Sequence, residues 1–350
     1  MKHILVMAGG SGTRFWPKSR VQRPKQLLQL WDDKTLLEHT LDRFPELCRS
    51  GQVTIVTTAA LENKTRDIIT RAHPQVEVLG EPQARNTLAC ILWGVLEVER
   101  RHKKDDLSKV TVVVLPADHY IGDTKQFLLS INTACDLALK EQSAFVTLGI
   151  KPNRPETGFG YLEVEDSRSA STRLKRFVEK PALQQAKDYI ASGDFFWNAG
   201  MFVFTVEAAL NAFRKIIPEA LDLFQNSKLS IKDIYATLPE VFCTSFDYAI
   251  MEKCAAHNIP VFCVPTDCGW NDVGSFTALE DIGCATQGDV FQLKSSGNIV
   301  QTDHGVVALV GVQDLIVVRD GDVTLVCAKN EAQNIKAILD QVKAQHPNLA

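Results

Sequence analysis

Residues 7–25, "MAGGSGTRFWPKSRVQRPK", place Gly9, Gly10 and Gly12 after an apolar run, then Thr13, Arg14 and, further on, Lys25. Glycines expose successive backbone N–H groups with no Cβ in the way, so the backbone can approach an anion closely. Arg14 adds a planar, permanently charged fork, and Lys25 a mobile point charge. This is the chemistry of a polyanion site; the plainer alternative is a tight turn with two solvated cations. The two commonest phosphate loops do not fit. A P-loop needs a lysine where Thr13 and Arg14 follow Gly12. A dinucleotide fingerprint needs a third glycine where Phe15 stands, at a point of close helix–strand packing.

The elements that must hold this loop read as a regular alternation. "HILVMA", "QVTIVTT", "VEVLGE", "VTVVVLPAD" and "AFVTLGI" are short apolar strands, separated by helical stretches such as "NTLACILWGVLEVERRH" and "KQFLLSINTACDLALKE". Thr35 and Glu38 have capping-box spacing ahead of "LLEHTLDRF". The pattern predicts an α/β fold with a doubly wound, mostly parallel, Rossmann-like sheet. Beyond residue 150, "GFGYLEVE" and "LKRFVEK" read as antiparallel strands. From about 286 short β runs broken by Gly and Asp lead to a closing helix. The division expected is 1–284 as a catalytic α/β domain and 285–350 as a small β-rich domain ending in a helix.

Bulk properties narrow the function. A net charge of −4 argues against a nucleic-acid binder driven by overall charge. No apolar run nears the roughly 20 residues that span a bilayer, so no membrane is expected. Nine cysteines without a C-x-x-C pair imply a reducing, cytoplasmic setting, with no disulfide framework and no zinc site.

The opening stretch resembles the G-G-x-G-x-R…P-K signature of sugar-1-phosphate nucleotidylyltransferases. "EPQARNT" (81–87), "LPADH" (115–119), "RPETGFGYLE" (154–163), "FVEKP" (177–181), "WNAGMFVF" (197–204), "DYAIMEK" (247–253) and "GWNDVGS" (269–275) resemble the mannose-1-phosphate guanylyltransferase branch. These segments are collinear over almost the whole chain. The resemblance implies a nucleotide-diphospho-sugar transferase type of sheet with a β-helix-like tail. It also implies GTP and mannose-1-phosphate as substrates, GDP-mannose and pyrophosphate as products, and Mg²⁺ as cofactor. Bifunctional relatives carry a further isomerase domain, an activity not expected here.

In such a reaction a sugar-phosphate oxygen attacks the α-phosphorus. That nucleophile is already an anion near neutral pH, because the second phosphate pKa is about 6. No general base is needed; positioning and charge neutralisation must do the work. Arg14, Lys25 and Lys180 are therefore the expected catalytic cations, the first two on the triphosphate and Lys180 on the sugar phosphate. Asp118 follows the strand "VTVVVLPAD", at a carboxyl end where α/β sheets bind ligands. Asp272 is flanked by glycines. The resemblance makes these two the metal carboxylates, although each alone also suits a turn or cap. It gives Glu179, Asn198 and the Gly160 backbone to the sugar; Glu179 and Lys180 would otherwise be an ordinary surface pair. Trp197 suits a pocket wall or the core equally, and His119 a supporting role.

Guanine offers N1–H and its 2-amino group side by side, a donor pair that a carboxylate accepts with both oxygens. Glu81 ends a strand and is the expected reader. Asn86 and Thr87 open the next helix, to contact the nucleotide or to cap, with capping favoured for Thr87. Leu88 and Cys90 depart from the family's usual Ala and Pro. The tail's exposed β surface offers a homodimer contact, or a lid over one end of the sheet. The alternatives are the same chemistry on another sugar-1-phosphate, or a non-catalytic nucleotide-sugar sensor. The second should have lost a phosphate cation or a metal carboxylate, and Arg14, Lys25, Asp118, Lys180 and Asp272 are all intact.

Overall fold

The computed structural model describes residues 1–10 and 12–349. The chain forms two compact units. The first comprises Met1–Gly9, Arg43–Pro116 and Asp123–Cys268, and the second Gly10–Asp42, Ala117–Gly122 and Gly269–Ala350.

The first unit is built on a nine-stranded sheet in the order Glu77–Glu81, Val53–Thr58, Lys2–Met7, Thr111–Pro116, Phe195–Thr205, Phe145–Ile150, Val261–Thr266, Thr172–Val178, Tyr161–Val164. Lys2–Met7 pairs in parallel with both of its neighbours, and Val261–Thr266 with Phe145–Ile150. Only Phe195–Thr205 and Thr172–Val178 run against the rest. The α/β expectation is met, with one long antiparallel strand at the sheet's centre. The central strands are apolar along nearly their whole length because they are buried on both faces. The helix Asn86–Arg101 packs on Lys2–Met7, and Thr124–Lys140 on Phe195–Thr205. The buried face of Asn86–Arg101 joins one core that includes Leu5, Val95, Phe204 and Phe246.

The second unit gathers the signature loop and the C-terminal β runs. Its sheet takes the order Thr286–Leu293, Ile299–Val310, Leu315–Asp320, Val323–Ala328, parallel in the first two pairings and antiparallel in the last. The helix Ile335–Gln345 closes the chain after a 3-10 turn over Lys329–Asn334. Phe15, Trp16, Leu28, Val273 and Phe276 share one core with Ile299, Ile316, Val318 and Ile335. The tertiary grouping thus joins residues 10–42 to the C-terminal strands, whereas the sequence division ran at 284/285.

The capping box forms as expected. The Thr35 N–H donates to Glu38 Oε2 at 2.8 Å, and the Glu38 N–H donates to Thr35 Oγ1 at 3.2 Å. Among the described residues no helix is long and apolar enough to cross a membrane.

Candidate active site

In the second unit the glycine loop turns tightly. Gly12 has φ +62°, and a Cβ there would fall 2.3 Å from Lys25 Cβ. Only glycine meets both demands. Thr13, Arg14 and Phe15 then form a 3-10 turn in which Phe15 is buried while Arg14 stays exposed, as do Gly9 and Gly10 before it. Lys25, by contrast, is only 8 % exposed. Its ammonium contacts Asp118 Oδ2 at 2.8 Å and donates to the Asp272 carbonyl at 2.6 Å. One cation therefore ties together both segments expected to bind metal.

Those segments are also stitched by backbone. The two-residue strands Tyr120–Ile121 and Trp270–Asn271 pair antiparallel. Burial works against charge on Asp118, but Lys25 and His119 outweigh it and hold the carboxyl below its ordinary range. The Trp270 indole nitrogen lies 3.1 Å from His119 Nδ1, and His119 Nε2 lies 4.0 Å from Asp118 Oδ1. Asp272 is fixed differently. Asn271 Oδ1 accepts the Val273 N–H at 2.7 Å, and Val273 is fully buried at φ +47°. A β-branched residue in the left-handed region is rare, and here burial and the Asn271 bond impose it. Among the described residues no three His, Cys, Asp or Glu side chains gather as a metal cage. A pair of carboxylates, completed by substrate phosphates, is nevertheless how Mg²⁺ is commonly held. Asp118 already accepts a cation, the Lys25 ammonium, so this donor set suits a hard divalent ion.

In the first unit, Glu81 ends its strand and is only 4 % exposed. Oε1 accepts the Tyr235 hydroxyl at 2.9 Å. Oε2 faces Gly9, 3.7 Å from the point where a Cβ on that residue would begin, an ordinary contact distance. Burial pushes the carboxyl up to about 7, with the Tyr235 hydrogen bond opposing. Tyr235 carried no signal in the sequence beyond being an aromatic on a short helix.

Asn86 opens its helix at φ +64°, and its Oδ1 accepts the Thr87 N–H at 2.8 Å. The capping role favoured for Thr87 needs correction. Its hydroxyl accepts the Phe246 N–H at 2.8 Å, so it serves the start of the helix Phe246–Ala249 rather than its own. The geometry is decided by a segment 159 residues away, which no local pattern reveals.

The sugar-side residues meet within the same unit. The Asn198 N–H donates to the Gly160 carbonyl at 2.8 Å. Glu179 Oε2 lies 2.9 Å from where a Cβ on Gly160 would sit. Glu179 and Lys180 form an exposed ion pair at 2.8 Å, and Lys180 adopts φ +43°. Asn198 Nδ2 donates to Asp247 Oδ1 at 2.7 Å while its Oδ1 accepts the Gly200 N–H at 3.1 Å, so the amide is fixed in orientation. Asp247 is a half-buried partner whose carboxyl is pushed up by desolvation, the Asn198 bond opposing. In the sequence Asp247 stands in "DYAIMEK" with nothing local to mark a role for it. Trp197 proves to be a core residue, 3 % exposed, with Arg154 over its ring at 5.3 Å.

The nucleotidyl transferase family model matches residues 3–288, and a mannose-phosphate isomerase/GMP-like β-helix domain matches 288–342. A mannose-1-phosphate guanylyltransferase of Escherichia coli K12 is 35% identical over 97% of this chain and 73% of its own length. The xanthan biosynthesis protein XanB of Xanthomonas campestris pv. campestris B100 shows the same identity and coverage. A crystal structure from Thermus thermophilus, described as a mannose-1-phosphate geranyltransferase, superposes with a TM-score of 0.85 at 33% identity, covering 98% of this chain and 99% of that one. The chain is an enzyme of the nucleotidyl transferase family and belongs to its mannose-1-phosphate guanylyltransferase branch.

Proposed function

We propose that the protein transfers a guanylyl group from GTP to α-D-mannose-1-phosphate, giving GDP-mannose and pyrophosphate, as a cytoplasmic enzyme. The observation that carries the base assignment is Glu81, a buried carboxylate with one oxygen toward Gly9. A carboxylate there suits the paired donors of guanine and suits neither adenine nor uracil. The names of the relatives support the sugar.

In this reading a phosphate oxygen of the sugar phosphate forms the new bond to the α-phosphorus, and the bond from that phosphorus to the β-phosphate bridge breaks in line. The nucleophile needs no base. The backbone of Gly9, Gly10, Gly12 and Thr13 holds the phosphates, while Arg14 and Lys25 neutralise the charge gathering on pyrophosphate. Lys180 steadies the incoming phosphate. Glu179, Asn198 and the Gly160 backbone orient the sugar, with Asp247 keeping the Asn198 amide in place. Asn86 and Thr87 frame the nucleotide beside Glu81. Asp118 and Asp272 would hold Mg²⁺, which supplies further neutralisation of phosphate charge when bound.

Homodimerisation through the C-terminal strands belongs to the same reading. Phe291 and Leu293 pair with Ala308 and Val310, and Phe291, Leu293 and Val310 are each more than 60 % exposed. The reaction is tested by pyrophosphate release across a panel of nucleoside triphosphates and sugar-1-phosphates. GTP with mannose-1-phosphate should give the highest kcat/KM; a higher value for any other pair overturns the assignment.

A further inference from the structure

We propose that Tyr235 is a positioning residue for base recognition: its hydroxyl holds the Glu81 carboxylate so that one oxygen stays toward Gly9, and thereby sets the affinity for the guanine nucleotide. The proposal rests on the assignment of Glu81 to the base.

Tyr235 has the rigidity such a role demands. It sits on the helix Ile231–Thr237, whose first turn is locked by Ser230 and Asp233 in a reciprocal cap. The side chain is fully buried, with Trp93 and Phe224 meeting its ring edge-on at 6.0 and 5.6 Å. Its hydroxyl therefore has a fixed place, 2.9 Å from Glu81 Oε1. Burial drives the phenol's own ionisation far upward, so it stays a donor at all working pH. A carboxylate has about four lone-pair sites, so Oε1 can take the tyrosine proton and still accept from a base.

The surroundings make that single bond consequential. The Cys90 thiol, on the helix Asn86–Arg101, is kept neutral by burial and by Glu81 itself. Glu62, on the helix Glu62–Ile69, packs against the neighbouring Gly80 and adds no positive charge. The Tyr235 hydroxyl is the group that opposes the effect of burial on Glu81. Without it the carboxyl takes up a proton more readily. A protonated acid turns a donor toward guanine's own donors and repels them.

The test is the isosteric Tyr235→Phe variant, followed by KM for GTP and kcat between pH 6 and 8.5. At pH 7, KM should rise about fivefold, the loss of ionised Glu81 that a rise of about one pKa unit from 7 brings, with kcat at saturating GTP retained. The pH at which KM deteriorates should move upward, and the excess KM should shrink by pH 8.5. In a Glu81→Gln background, where that carboxylate no longer titrates, Tyr235→Phe should produce no pH shift. A profile superimposable on the parent, or a KM raised equally at every pH, overturns the proposal. If Glu81→Gln leaves nucleotide selectivity unchanged, the base assignment itself fails, a separate outcome. Should Tyr235→Phe fold poorly, Phe224→Leu, which loosens the ring while keeping the hydroxyl, should raise KM with a smaller upward shift; an unchanged profile there overturns the proposal equally.

Discussion

Lys25 Nζ lies 2.8 Å from Asp118 Oδ2 and 2.6 Å from the Asp272 carbonyl, a single buried ammonium joining two segments far apart in sequence. Removing it takes away a phosphate cation and leaves Asp118 without its ion-pair partner. Lys25→Met should lower kcat by about 2–4 kcal/mol of transition-state stabilisation, and Arg14→Ala by a similar amount. The two should differ in stability, because Arg14 is exposed and Lys25 is not. Thermal melts that fall equally for both variants would show that the Lys25 contacts carry no structural load.

Asp118→Asn and Asp272→Asn should each collapse turnover while sugar-phosphate binding changes less. Chelation of divalent ions should abolish pyrophosphate release, and added Mg²⁺ should restore it. Turnover that survives both the chelator and the substitutions removes these carboxylates from the metal role.

Glu81 links stability to pH in a defined direction. Its carboxyl stands at about 7 in the fold against an ordinary 4.5, so the native state holds the proton more tightly than the unfolded chain. Stability therefore falls as pH rises from about 4.5 through 7, by roughly 3 kcal/mol in all. Glu81→Gln keeps an acceptor for Tyr235 and abolishes the titration. Urea unfolding should show the variant gaining on the parent at pH 8 and not at pH 4.5. An equal difference at both pH values would rule out Glu81 as the source.

Asp320 receives both Arg20 and Arg23, the former at 3.7 Å, and Lys18 donates to Gln287 Oε1 at 2.8 Å. The Trp16 indole also donates to the Leu349 carbonyl at 2.8 Å. The C-terminal strands thus anchor the loop that runs from Arg14 to Lys25. Asp320 is largely buried while Arg23 is 40 % exposed, so Asp320→Ala should cost about 2 kcal/mol, between the values for surface and buried pairs. It should also reduce kcat several-fold by loosening the loop, which stopped-flow or steady-state kinetics would reveal. Wild-type kcat in a destabilised Asp320→Ala protein would confine the C-terminal strands to stability.

The apolar face around Phe291, Leu293 and Val310 should bury itself in a homodimer. Sedimentation equilibrium should give twice the chain mass for the parent, and the monomer mass for Leu293→Lys combined with Val310→Lys. A monomeric parent would refute the assignment of this face.

The sequence by itself determined the strand–helix alternation, the capping box at Thr35 and Glu38, and the identity of the chemical groups at the glycine loop. These follow from local rules: apolar periodicity, the steric freedom of glycine, and side-chain charge. The tertiary structure alone decided how those groups are held. It joined Tyr235 to Glu81 across 154 residues, Asp247 to Asn198 across 49, and Asp320 to the signature loop across almost the whole chain. It also turned Thr87 away from its own helix and forced Val273 into a left-handed turn beside Asp272. None of these has a sequence period. Each depends on which buried polar atoms come within about 3 Å of each other once the core has formed, because a buried group must find its partner there or bear the cost of desolvation.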